Sequence, residues 1–163
     1  MTIKKIIFIF IMLFIPAQGF AWTGVVENII DGDTLHIRPV NEKDIVKVRL
    51  YGIDAPERQQ PYGDEAAELL RNLCENKEVV VTDKDKDQYD RTVAVVELDD
   101  FNFSLQELLV QYGCAWVYTS YCKDDFCLRW RVLQNEAFKY KRGLWADKNP
   151  IPPWEWRMKQ DQK

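Results

Sequence analysis

Apolar and polar positions alternate, imperfectly, through three early stretches: residues 24–30, 34–40 and 45–52, each rich in Val and Ile. A period of two with β-branched side chains predicts strands with one buried face. Asp31-Gly32 separates the first two stretches. Asp-Gly tolerates positive φ, so a tight hairpin turn is expected there, and residues 41–44 make the second turn. The period then changes. Ala66, Leu69, Leu70 and Leu73 recur at helical spacing, which predicts a helix over 62–75. Two more strands are expected at 78–82 and 92–98, on either side of the charged stretch 83–90. Three strands, a helix and two strands is the order of an OB-type barrel.

The second half reads as helical. Ser104-Leu105-Gln106-Glu107 has the form of a capping box. It opens a helix carrying Leu105, Leu108, Leu109 and Tyr112, which Gly113 ends. A third helix is expected over about 125–142, closed by Gly143, with Trp130, Leu133, Ala137 and Phe138 packed inward. The segment 150–156 carries three prolines, which argues against a helix; it is expected to lie along the body, with residues 158–163 disordered. The fold class is therefore α+β, a five-stranded OB-type β-barrel with about three packed helices, in one domain spanning 22–157.

The first residues have a different pattern. Lys4 and Lys5 precede an unbroken apolar run from Ile6 to Ile15; Pro16 breaks it, and the small residues Ala17, Gly19 and Ala21 follow. The run is too short to span a bilayer, so residues 1–21 read as a cleaved signal peptide, not a membrane anchor. Cleavage after Ala21 is preferred, with Gly19 the alternative. The expected location is the periplasm or the medium.

Charge and cysteines then narrow the classes. The chain has 22 basic and 26 acidic residues. Losing the signal removes two lysines and no acids, so the mature chain carries 20 against 26, a net charge of −6. That balance argues against a high-affinity duplex binder, because non-specific affinity comes from phosphate neutralisation. The four cysteines, Cys74, Cys114, Cys122 and Cys127, read as two disulfides in an exported chain. Three pairings are open; Cys122–Cys127 with Cys74–Cys114 is favoured over a zinc site, since only one C-x4-C pair exists. The single histidine, His36, excludes histidine-pair ribonuclease chemistry and multi-histidine metal sites.

Candidate chemistry gathers around Asp31-Gly32-Asp33-Thr34, Val48-Arg49-Leu50, Ile53-Asp54-Ala55-Pro56-Glu57 and Tyr89-Asp90-Arg91. Strands two and three should be antiparallel neighbours. That puts the first hairpin and the end of the third strand at one end of the sheet, so Asp33 and Asp54 can converge on a cation. An all-oxygen set suits Ca2+, Mg2+ or Mn2+ rather than zinc. Arginine forks bind phosphate oxygens bidentately, and a further carboxylate can take a proton from water. Alone, Asp31-Gly32-Asp33 is most simply a turn and Arg49 an exposed strand charge; the combination is what suggests phosphodiester hydrolysis.

These motifs, with the Tyr62-Gly63-Asp64-Glu65-Ala66 and Gly143-Leu144-Trp145 segments, occur in an order that resembles the staphylococcal nuclease (thermonuclease) family over roughly residues 24–157. The resemblance implies calcium-dependent cleavage of DNA and RNA that leaves 3′-phosphate ends. It implies Asp33, Asp54 and the Ala55 carbonyl as metal ligands, the last at a position where the family usually has threonine. Asp31 would support them. Glu57 would be the general base, and Arg49 and Arg91 the phosphate clamps. Tyr89 would contact the nucleotide; Tyr118 and Tyr121 could stack a base or pack in the core. The family usually has glycine where Asp90 stands. Two other readings stay open: a catalytically weak OB-fold module that binds single-stranded nucleic acid, and a disulfide-stapled structural domain of the cell envelope. No protein partner is implied, and a monomer is expected.

Overall fold

A computed structural model describes residues 21–98 and 103–162. The signal-peptide expectation lies almost entirely outside the described residues. Five strands close a barrel in the order β1-β2-β3-β6-β5: β1 is Ala21–Ile29, β2 Thr34–Pro39, β3 Val46–Leu50, β5 Glu78–Lys86 and β6 Thr92–Leu98. All neighbouring pairs are antiparallel except β3 with β6, which is parallel. Closure removes every free edge. The barrel interior is filled by the alternate residues the sequence pattern singled out, including Val26, Leu35, Ile37, Val48, Leu50, Val79, Val81 and Val96, each essentially inaccessible. A two-residue strand β4, Ile53–Asp54, leaves the barrel and pairs with β7, Trp116–Val117.

Helix α1, Gly63–Cys74, packs Ala66 and Leu70 on the core. Helix α2, Leu105–Gln111, starts at the expected capping box: the Ser104 hydroxyl accepts from the Glu107 N–H while the Glu107 carboxylate accepts from the Ser104 N–H. Helix α3, Phe126–Lys139, buries Trp130 and Ala137, but Phe138 is exposed, its ring edge meeting Trp145. A 3-10 turn, Gly143–Ala146, follows.

Four expectations need correction. First, the tail forms a helix, α4, Pro153–Gln160, which also takes in Met158, Lys159 and Gln160 from the stretch expected to be disordered. The prolines permit it because Pro152 is the N-cap and Pro153 sits in the first turn, where an N–H has no partner to lose. Second, Gly32 is not a positive-φ residue. It is needed for space: a Cβ there would lie 2.7 Å from the Cβ atoms of both Ala55 and Ala66. Third, β5 continues through Lys86, so the charged stretch is strand for half its length. Asp83 accepts the Trp22 indole N–H at 2.9 Å and Lys84 pairs with Asp124 at 3.0 Å, which explains how charges are tolerated there.

Fourth, Cys122 and Cys127 are bonded, but Cys74 and Cys114 are separate buried thiols. The Cys74 Sγ donates into its own helix, to the Leu70 carbonyl at 3.1 Å, and Cys114 lies near the Tyr112 carbonyl. Burial pushes the Cys74 thiol up to about 12 and the Cys114 thiol up to about 11, so neither is a ready nucleophile. No described helix is long and apolar enough to cross a membrane.

Candidate active site

The barrel brings one end of β2, β3 and β4 together. Register places Thr34 opposite Arg49, and the Leu50 N–H donates to the Asp33 carbonyl at 2.8 Å. Asp33 and Asp54 therefore face each other across the mouth of the barrel, 6% and 1% exposed. One nitrogen, Arg49 Nη2, lies 2.9 Å from Asp33 Oδ2 and 2.8 Å from Asp54 Oδ1. Two carboxylates that reach the same nitrogen define a point where a small cation can be held.

The surrounding bonds fix that geometry. The Ala55 N–H donates to Asp33 Oδ2 at 2.7 Å, and the Thr34 hydroxyl to Asp33 Oδ1 at 3.2 Å. The Asp33 N–H donates to Asp31 Oδ1 at 3.0 Å, so Asp31 braces the loop from outside. Burial pushes the Asp33 carboxyl up to about 7; Asp31 and Asp54 add to the rise, while Arg49 and the Ala55 N–H oppose it.

Among the described residues no three Asp, Glu, His or Cys side chains converge on one point. An ion here would rest on Asp33, Asp54 and backbone or solvent oxygens, a donor set that fits a hard divalent cation and not zinc. The residues present fit the metal that the family resemblance implies.

The second arginine reaches the same end from the turn just before β6. Arg91 donates from Nε to Asp87 Oδ2 at 2.6 Å and approaches the Thr34 hydroxyl at 3.4 Å. Its guanidinium stands 5.5 Å from the centre of the Tyr89 ring, which is 70% exposed. Asp90 adopts φ 58°, the left-handed conformation that glycine takes easily. Its carboxylate bonds Lys86 at 2.9 Å, so the charge is turned onto that lysine.

Glu57 is half-buried at the rim, with its N–H held by the Gln60 side chain. Tyr118 and Tyr121 stand together, centroids 4.8 Å apart, Tyr121 exposed and Tyr118 covered on one face by Trp154. The structure thus gathers Asp31, Asp33, Arg49, Asp54, Ala55 and Glu57 into one cluster with Arg91 beside it; Tyr89 lies against Arg91, and Tyr118 and Tyr121 pack together near Trp154.

Sequence reasoning missed one residue of this cluster. Arg157, on α4, donates to Asp54 Oδ2 at 2.8 Å and to Glu57 Oε1 at 2.6 Å. Burial works against its charge, yet the bonds and charges of Asp54 and Glu57 outweigh burial and raise its pKa further. The signal in the sequence is a Pro-Pro start followed by Trp-Glu-Trp-Arg, since proline in the first turn opens a helix. A cavity of about 50 Å³ lies between Pro56, Gln60, Trp116, Leu144 and Ile151, and none of these acids lines it.

Residues 47–147 match a family model described as "Staphylococcal nuclease homologue". The match includes Arg49, Asp54, Glu57 and Arg91 and leaves Asp31, Asp33 and Arg157 outside. The chain is 40% identical over 134 residues to an "Uncharacterized endonuclease" of Escherichia coli, covering 82% of this chain and 84% of that one. It is 42% identical over 135 residues to an "Uncharacterized endonuclease" of Haemophilus influenzae, covering 83% and 72%. It is 34% identical over 159 residues to a "Micrococcal nuclease" of Shigella flexneri, covering 90% and 87%.

Proposed function

From the premise that this chain belongs to the staphylococcal nuclease family and is a nuclease, we propose that it is an exported, Ca2+-dependent endonuclease. It would cleave DNA and RNA with little sequence preference and leave 3′-phosphate ends. The observation that carries this reading is the convergence of Asp33 and Asp54 on one nitrogen, with Glu57 and two more arginines at the same rim. Removal of residues 1–21 would release the chain to the periplasm or medium, where disulfides such as Cys122–Cys127 persist.

Asp33 and Asp54 would hold the ion, which when bound would supply positive charge that polarises the phosphate. The chain's own residues supply the rest. Glu57 accepts a proton from the attacking water, whose oxygen forms the new bond to phosphorus. Arg49, released from the two carboxylates, turns its fork to the phosphoryl oxygens, and Arg91 takes another. The bond from phosphorus to the 5′ oxygen breaks and that oxygen leaves as a hydroxyl, protonated from solvent. Exposed Tyr89 and Tyr121 offer π-faces that accept any base.

The test is end-group analysis of single-stranded DNA and RNA digested by the mature protein with Ca2+ or with excess chelator. The expected products carry 3′-phosphate and 5′-hydroxyl ends and appear only with Ca2+. Products with 5′-phosphate ends, or undiminished cleavage in chelator, would contradict it. The acid and arginine set favours this reading over a binding module that holds strands without cutting them.

A further inference from the structure

Arg157 lies outside the matched family segment and has no part in the reaction just described, yet it touches two of its acids. We propose that Arg157 is a positioning residue of the nuclease centre, fixing the metal-holding carboxylate of Asp54 relative to the carboxylate of Glu57. The proposal rests on the metal-dependent reading above.

The two oxygens of Asp54 are used differently. Oδ1 faces inward, to the Arg49 nitrogen that also meets Asp33. Oδ2 takes Arg157 Nη2 at 2.8 Å. The fork therefore grips the outer oxygen of Asp54 and leaves the inner one directed at the point of convergence; Nη1 passes Oδ1 only at 3.3 Å. Nη1 binds Glu57 Oε1 at 2.6 Å. Among the described residues the Glu57 carboxylate has no other hydrogen-bond partner. Without Arg157 this half-exposed side chain would sample several rotamers, and only some would face the phosphate. A planar guanidinium can span two carboxylates; an ammonium, a point donor, cannot hold both in one plane. Partners that orient metal-holding carboxylates typically alter metal affinity or activity by about 10–100-fold when lost.

Helix α4 is anchored without the arginine. Trp154 stacks on Tyr118, centroids 4.9 Å apart and planes 8° from parallel, and meets Trp116 edge-on at 5.7 Å. Tyr118 is tied by its N–H to the Gly52 carbonyl at 2.9 Å. The Gln60 side chain donates to the Ile151 carbonyl at 2.6 Å. Substitutions at Arg157 thus probe the guanidinium and leave the helix in place.

The rival account is a plug: Arg157 stands in for the cation and competes with it. The two accounts predict opposite signs. The experiment is calorimetric Ca2+ titration of the metal-free full chain, with kcat and KM for a single-stranded oligonucleotide, in the parent, Arg157→Gln, Arg157→Lys and the exposed neighbour Lys159→Gln. Arg157→Gln should weaken Ca2+ binding and lower kcat, each by about 10–100-fold, with KM within about two-fold. Arg157→Lys should recover the smaller part of either loss, and Lys159→Gln should match the parent. Equal or tighter Ca2+ binding by Arg157→Gln, an unchanged kcat, or full recovery by lysine would overturn the proposal. A parent that binds no Ca2+ would overturn the metal reading itself, an outcome distinct from a parent that binds and an Arg157→Gln variant that binds equally well.

Discussion

Arg49 holds both inner carboxylates with a single nitrogen, and in the proposed mechanism an arriving cation would take its place there. The role of Arg49 should therefore depend on the fork as well as the charge. Arg49→Lys keeps the charge and loses the bidentate grip on phosphate, while Glu57→Gln keeps size and loses the base. Each should lower kcat by about 10²-fold or more, and far more than it raises KM. Lys47→Ala is the comparison: it sits two residues back on β3, opposite His36 and away from the acid cluster. It should change only salt-dependent binding. Steady-state kinetics would refute the roles if Glu57→Gln kept full turnover while Lys47→Ala abolished it. At this scale the sequence was informative because Asp33, Arg49, Asp54 and Glu57 lie within 25 positions, and strand register carries them to one rim. Arg157 was not legible, because it comes from 100 positions beyond Glu57 and no local period ties a tail helix to a barrel mouth.

The elements follow their hydrophobic periods closely, and the departures have physical causes. The barrel strands were readable because each has one buried face. The three expected helices were readable from their apolar spacing and from the Ser104 cap. The tail departs from the expectation because its prolines stand at the start of α4, where they open a helix instead of breaking one. The cysteine pairing failed for Cys74 and Cys114 because even counts carry no geometry. The β1–β2 turn was located correctly, but its glycine serves packing between Ala55 and Ala66. Gly32→Ala should therefore act as an overpacking substitution, costing about 1–3 kcal/mol in denaturant unfolding. It should also push Ala55 outward, and so loosen the Asp33–Ala55 bond on which the acid geometry depends. An alanine variant as stable as the parent would contradict the steric account of this turn.

For the whole molecule, an acidic chain that hydrolyses a polyanion needs its positive charge concentrated. The rim does this in part: Arg49, Arg91 and Arg157 gather there, but each is already paired with a carboxylate. Asp31, Asp33, Asp54, Glu57 and Asp87 outnumber these three arginines. Burial is the main cause of the raised Asp33 pKa, with Asp31 and Asp54 adding to it. In the proposed mechanism a divalent ion at the convergence point would supply positive charge and free the Arg49 fork for phosphate, while Arg157 stays on Asp54 and Glu57. The most direct measurement is the rate of single-stranded DNA cleavage across a Ca2+ titration, in the parent and in Asp54→Asn, which keeps the shape of the residue and removes its charge. The parent rate should rise from zero to saturation with Ca2+. Asp54→Asn should need about 10-fold more Ca2+ or stay inactive, in keeping with the loss of one carboxylate ligand. Identical rates in the two proteins, unaffected by Ca2+ or chelator, would contradict the claim that this acid cluster is the metal centre of the nuclease.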